Sequence, residues 1–262
     1  MRCGRSAPCR WPSACSPATP DRVTGAPSSA AHLPSPLLPS QARAIATAFL
    51  PESRWGNRSR YYYVQAKLRS DPLYHGVLQA LPTDALPVLD LGCGLGLLGH
   101  VMRLQGHAQG YVGVDVDAGK IRHARHALCR AGLVDARVDP LDLRSPLPAH
   151  CGHVAVLDVL HYLDAPSQTL LLRAATARVA AGGRLLLRTP LDTGDGRDRT
   201  TRLTDRLGWL SGWMRTRPRH YPRPEALTAI LVEAGLEVER PRALHGRTPF
   251  NSWLLVAKRP AG

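Results

Sequence analysis

Residues 88–99 read Val88-Leu89-Asp90-Leu91-Gly92-Cys93-Gly94-Leu95-Gly96-Leu97-Leu98-Gly99. An apolar run carries an acid at its end, a glycine-rich turn follows at once, and apolar residues resume at helical spacing with Leu97, Leu98, Val101 and Met102. That order is buried strand, tight loop, helix. Glycines in such a loop take positive φ without steric cost and let a ligand approach the backbone. The helix behind them points free N–H groups into the loop.

Downstream, strand and helix patterns alternate, as in a parallel α/β sheet. Tyr111-Val112-Gly113-Val114-Asp115 reads as a second strand ending on an acid, 25 residues after Asp90. Asp117 caps a helix expected over 118–131. Ala136 to Asp139 is a weaker third strand and Val154 to Asp158 a fourth. A helix is expected over 168–180, a fifth strand over 184–190, a helix over 222–235, and last strands over 236–239 and 252–258. Ligands of open α/β sheets lie at the carboxyl ends of the strands, where Asp90 and Asp115 fall.

Gly94 to Gly99 fits the GxGxxG dinucleotide fingerprint. Asp90 decides against that reading, because an acid ahead of the glycines repels a pyrophosphate and suits a ligand with an ammonium and a sulfonium. The pattern Asp90-Leu91-Gly92-Cys93-Gly94-Leu95-Gly96 resembles motif I of the class I S-adenosylmethionine (SAM) methyltransferases. The resemblance covers about residues 86–258. It implies that Asp90, Gly92, Cys93 and Gly94 cradle the cofactor, and that Asp115, with Val116 after it, takes the ribose hydroxyls. It further implies that Asp142 with Leu143 meets the adenine (Asp139 being second choice), and that Asp158 lies near the methyl donor.

The segment Asp158-Val159-Leu160-His161-Tyr162-Leu163 resembles motif IV of small-molecule methyltransferases. It lacks the Pro-Pro-aromatic pattern of enzymes acting on base amino groups. His161 has a near-neutral intrinsic pKa and can take a proton from a phenol or activated carbon; the plainer reading is a histidine packed under the cofactor. Tyr62, in the run Arg60-Tyr61-Tyr62-Tyr63 ahead of motif I, is a second catalytic candidate, and Arg60 and Lys67 are substrate-contact candidates; the plainer role of the tyrosines is packing. No helical HxxxH or acidic cluster calls for a metal. His245, Arg247 and Asn251 are thin candidates for the substrate mouth.

Composition bounds the rest. A chain of 262 residues holds one substantial domain. No apolar run reaches the ~18 residues of a membrane span. The six cysteines form no CxxC pair, so reduced thiols in a cytoplasmic protein are expected. The formal charge of +14 comes almost wholly from arginine, with lysine only at Lys67, Lys120 and Lys258. Such a balance hints at a polyanion, but fits the coding bias of a GC-rich genome better.

The expected architecture is a Rossmann-like, doubly wound sheet of seven mostly parallel strands, the last antiparallel, with helices on both faces. Residues 1–40 read as a disordered Pro/Arg-rich tail, 41–84 as N-terminal cap helices and 85–262 as the SAM-binding domain. An insertion at 191–223, with a helix over 200–214, reads as a substrate lid. The expected activity is methyl transfer from SAM to a small aromatic or acyl acceptor, with an acidic carrier protein as one further partner. The upstream pattern has a weaker resemblance to methyltransferases of bacterial aryl-polyene pathways. The alternatives are an RNA- or DNA-directed methyltransferase, a non-catalytic SAM-binding protein and a nicotinamide oxidoreductase.

Overall fold

A computed structural model describes residues 36–194, 217–246 and 251–261. Three helices come first: α1 (Pro39–Thr47), α2 (Ser59–Ser70) and α3 (Leu73–Ala80). Then follow β1 (Val88–Leu91), α4 (Leu97–Leu104), β2 (Tyr111–Asp115), α5 (Ala118–Arg130), β3 (Ala136–Pro140) and β4 (His153–Leu157). A 3-10 turn over Leu160–Tyr162 leads to α6 (Ala165–Thr176), β5 (Arg184–Pro190), α7 (Pro224–Glu233), β6 (Glu237–Val238), β7 (Arg242–Ala243) and β8 (Ser252–Lys258).

The strands lie in the order β3-β2-β1-β4-β5-β8-β6, with β7 also on β8. β1 to β5 are parallel, and β8 runs antiparallel to β5, β6 and β7. The chain winds outward from β1 to β3 and returns to β4 on the far side of β1. The switch point therefore falls between β1 and β4, at the exits that carry Asp90 and Asp158.

Strand alternation sorts the core into two layers. On one face Val88, Tyr111, Val138, Ala155, Leu186 and Val256 pack with residues of α1 to α5. On the other Leu89, Leu91, Val114, Val156, Leu185 and Leu187 pack with Leu171 and Leu172 of α6 and Leu227 and Leu231 of α7. Burying each such leucine contributes roughly 1.5–3 kcal/mol, so helices on both faces are needed to cover the sheet.

The structure moves some expected elements. Asp164 accepts from Ser167 N at 2.9 Å and caps α6, with Pro166 in its first turn, so that helix spans 165–176 rather than 168–180. Asp117 caps α5 as expected, accepting from Gly119 N and Lys120 N. Among the described residues the sheet has eight strands where seven are expected, because the exposed pair Arg242–Ala243 has no apolar alternation to announce it. Leu37 is already buried and its N–H donates to Leu68 O at 3.0 Å, so packing begins ahead of the boundary drawn at 40. The expected helix over 200–214, with most of the lid, and Arg247 lie outside the described residues, as do residues 1–35 of the tail. Among the described residues Cys93 is a free thiol. Among the described residues no helix is long and apolar enough to cross a membrane.

Candidate cofactor and acceptor site

The turn after β1 is built on backbone that only glycine adopts cheaply. Gly92, Gly94 and Gly96 have φ of 84°, 57° and 68°. Gly92 N and Cys93 N both donate to Val114 O, at 2.8 and 2.9 Å, which ties the turn to the exit of β2. A Cβ on Gly92 would meet Val159 at 2.8 Å, whereas one on Gly94 would meet no described atom within 4 Å. The Gly94 side of the turn is therefore open. α4 opens behind Gly96 with no side-chain cap among the described residues, leaving its first N–H groups available to a ligand.

Two acids face this turn. Asp90, third residue of β1, is 3% exposed. Its Oδ2 accepts from the Tyr111 hydroxyl at 2.7 Å, and its Oδ1 is buried with no partner among the described residues. Burial pushes its pKa up to about 7, against the lowering effect of the Tyr111 bond. Asp115 is clamped instead: Oδ2 accepts from Gly94 N at 2.9 Å and Oδ1 from Asp117 N at 2.8 Å. A carboxylate has about four acceptor sites, so the Asp115 oxygens retain capacity for two hydroxyls. Val116 beside it is 68% exposed, an apolar surface at the site's edge. Cys93 packs under the turn against Gly113, and burial, with Asp90 next, raises its thiol pKa.

Asp142 carries a local partner. Arg144 donates to it through Nε at 3.0 Å, Nη2 at 2.6 Å and the backbone N at 3.0 Å, and these bonds hold its carboxyl below the usual range. Leu143 is half-buried against the second core layer. Asp139 is paired with Arg125 at 2.6 Å and also with Arg137.

The β4 exit holds a compact set of charges. Arg188 of β5, 2% exposed, donates to Asp71 at 3.0 Å, to Asp158 Oδ2 at 2.7 Å and to Leu244 O. Lys67 of α2 lies 2.9 Å from Asp71 and 3.6 Å from Asp158 Oδ2. Burial alone would lower the Lys67 pKa, but Asp158 and then Asp71 outweigh it and leave it raised. Burial would likewise raise Asp71, yet Arg188 and then Lys67 hold it down. Asp158 sits at φ 55°, left-handed backbone, and its Oδ1 is buried with no partner among the described residues.

Three residues on, His161 is 5% exposed and its Nδ1 likewise has no described partner. Its ring stacks on Tyr221 at 6.4 Å and tilts against Tyr162 at 4.2 Å. Burial pushes its pKa down to about 4, more than the nearby Asp158 charge can restore. The imidazole is thus neutral at pH 7, but burial makes it a weaker proton acceptor than the near-neutral intrinsic pKa of a histidine implies.

Not every sequence candidate converges here. Tyr62 is 57% exposed and meets Tyr61 edge-on. Tyr63 is the member of the run whose field reaches Lys67 and the buried Tyr74. Asn251 ties Leu191 and Thr193 to Trp253, and His245 bonds Gly246 O. Asp71, Tyr74 and Arg188 were not singled out from the sequence. The available signal was Arg188 itself, one arginine inside the apolar run of β5.

The sheet order, the left-handed glycine turn and the acids near the exits of β1 and β2 meet at one edge of the sheet, and a model of the methyltransferase domain matches residues 60–240. The chain belongs to the methyltransferase-domain family. Among solved methyltransferase-fold structures it is similar to an O-methyltransferase family protein from Burkholderia thailandensis. That likeness has 24% identity, a TM-score of 0.59, and covers 82% of this chain and 64% of the other. It is also similar to magnesium protoporphyrin IX methyltransferase from Synechocystis PCC 6803, solved with bound SAH, at 20% identity and a TM-score of 0.55, covering 82% and 93%. At such identities these two likenesses speak for the fold alone. A curated methyltransferase of Pseudomonas aeruginosa (strain UCBPP-PA14), named ribosomal RNA small subunit methyltransferase C, is 34% identical over 122 residues. That match covers 45% of this chain, and this chain spans only 36% of the relative's length.

The methyltransferase site fits SAM on its own geometry. Asp90 keeps a buried oxygen without a partner among the described residues, the Gly94 side of the turn is open, and Asp115 is held with acceptor capacity left.

Proposed function

We propose that this methyltransferase moves a methyl group from SAM to a small-molecule acceptor. Asp90 takes the cationic end of the cofactor, and the Gly92-Cys93-Gly94 turn admits its chain. Asp115 accepts from the ribose hydroxyls, and Val116 and Leu143 flank the adenine. Asp142 serves the adenine amino group from a position already oriented by Arg144. Asp158 borders the reacting end. SAM, when bound, supplies an electrophilic methyl on a sulfonium. The chain's own contribution is to hold acceptor and donor in line and to keep water out.

The observation that carries the small-molecule reading is the β4 exit. A neutral, buried His161 stands three residues from Asp158, where enzymes acting on base amino groups resemble one another in a Pro-Pro-aromatic pattern that this chain lacks. As proton acceptor for a phenol or activated carbon, His161 contributes at the low end of the ~10²–10⁴-fold range of general bases, because its pKa lies well below neutrality. Tyr62, exposed on α2, is the weaker catalytic candidate, since it stands apart from the charge cluster and its role rests on the resemblance.

A second reading is RNA methylation. It rests on the curated relative, whose name specifies ribosomal RNA, and on the +14 charge.

Calorimetry with SAM, SAH and NADH on wild type and Asp115→Ala tests the cofactor. Micromolar SAM binding lost in the variant, with no NADH binding, is expected. Label transfer from SAM to a phenol panel and to ribosomal RNA tests the acceptor. Turnover of RNA and of no small acceptor overturns the small-molecule reading.

A further inference from the structure

Charge accounting around Asp158 separates its task from that of Asp90. Among the described residues, the cluster at the β4 exit contains two cations, Lys67 and Arg188, and two carboxylates, Asp71 and Asp158. The charges cancel. Both cations approach Asp158 on one oxygen, Oδ2, and leave Oδ1 buried and without a described partner. Asp90 stands in the opposite condition. Among the described residues its one side-chain hydrogen bond comes from the neutral Tyr111 hydroxyl. A cationic ligand group gains most beside Asp90. At Asp158 it would add an uncompensated charge to a neutral buried cluster, which is costly.

An unmet carboxylate oxygen is itself expensive, since a buried acceptor without a donor forfeits a hydrogen bond that water would supply. Asp158 adds left-handed backbone to that cost, and His161 a second unmet atom, Nδ1, on a side chain nine-tenths buried. The Asp158 charge is felt at His161, so the two lie within one electrostatic neighbourhood. Three local costs within four residues, at the switch point of the sheet, mark groups set to meet a ligand.

Resting on the methyltransferase reading, we infer that Asp158 recognises the acceptor rather than the cofactor. It takes a neutral hydrogen-bond donor, a hydroxyl or N–H, through Oδ1, while His161 faces the reacting hydroxyl. The acceptor class that follows is an uncharged molecule with two donors close together, of which one is methylated and the other held. Lys67 is a positioning residue: with Arg188 it fixes Oδ2, and so aims Oδ1.

The test uses the full chain saturated with SAH and three probes of similar size: catechol with two adjacent hydroxyls, phenol with one, and benzylamine with a cation. Wild type is expected to bind catechol about tenfold more tightly than phenol, the worth of one bond to a charged acceptor, and to bind benzylamine most weakly. The double variant Lys67→Met with Asp158→Asn removes one charge of each sign and keeps the cluster balanced. It is expected to lose the catechol advantage while binding SAM within about twofold of wild type. A fall of tenfold or more in SAM affinity assigns Asp158 to the cofactor and overturns the inference. So does benzylamine binding as well as catechol, or catechol binding no better than phenol, including no binding of any probe at millimolar concentration. The probe ranking needs no variant, so a misfolded double variant leaves the test intact. Failure of wild type to bind SAM would instead sink the underlying methyltransferase reading.

Discussion

The Tyr111 hydroxyl donates to Asp90 Oδ2 at 2.7 Å across neighbouring strands, and it is the one group that draws down the pKa of that carboxyl. At about 7 the acid is half-protonated near neutrality, and a cationic ligand must meet its ionised form. SAM affinity is therefore expected to weaken as pH falls below 7, approaching about tenfold per pH unit. Tyr111→Phe should move the midpoint upward. Calorimetry from pH 5.5 to 8.5 reads both, and a flat wild-type profile would remove Asp90 from the cofactor's cationic end.

Stability should carry the opposite signs of two kinds of buried group. His100, His150 and His161 are each pushed down to about 4 by burial. Their contribution is present above the unfolded value near 6.5 and is lost as pH falls towards 4, because the unfolded chain then binds more protons. Asp90 is raised, so its contribution is present below about 4 and eroded as pH rises to about 7. Urea melts between pH 4.5 and 6.5 should show wild type losing stability on acidification. Asp90→Asn should steepen that slope, and His161→Phe should flatten it by up to ~1.4 kcal/mol per pH unit.

Arg188 holds two carboxylates and the Leu244 carbonyl from inside the core. Arg188→Leu strands both acids and is expected to cost about 3–5 kcal/mol. Arg188→Lys, lacking the planar fork, should recover only part of it. The midpoint of urea denaturation measures each; a loss under 1 kcal/mol for the leucine variant would show the network to be unimportant for folding.

Gly92 and Gly94 should separate folding from ligand binding. Gly92→Ala places a Cβ 2.8 Å from Val159 at φ 84° and should lower stability by more than 2 kcal/mol, as roughly the sum of strain and overpacking. Gly94→Ala meets no described atom within 4 Å and should cost only about 1–2 kcal/mol. Its methyl enters the open side of the turn, so SAM affinity should drop at least about tenfold. Gly94→Ala binding SAM normally would place the cofactor elsewhere.

His161→Ala should reduce kcat for a phenolic acceptor by about 10²-fold, the low end expected of so weak a base, while leaving SAM affinity unchanged. With SAM kept saturating at each pH, the wild-type kcat should hold steady from pH 7 down to about 5, since a base with a pKa near 4 stays unprotonated there. A rate falling through 6.5 would assign the proton acceptor to another group.

Local signals carried much of this molecule into view. β2 and β8 fall on the expected residues because each is an apolar run bounded by turn formers, and Asp117 caps α5 because a short acid before a helix has one favourable task. Asp90 and the glycines were legible because the turn needs left-handed backbone and the acid follows a buried run. The charge cluster was not. Lys67 and Asp71 are an i,i+4 pair at the end of α2, but Asp158 and Arg188 come from two further segments, and no spacing announces that the helix end and two strand exits will meet. β7 was missed because two exposed residues pair with β8 through backbone alone.

The left-handed backbone at Asp158 narrows how this enzyme could be re-engineered. It is the one non-glycine with positive φ among the described residues, and only aspartate, asparagine and glycine sit there at small cost. A saturation library at that codon would yield three well-folded members, and most of its clones would report strain rather than altered selectivity. Tyr62, exposed on α2, can be changed at little cost to folding. Laboratory evolution towards new acceptors should begin on the cap helices and leave the strand exit alone.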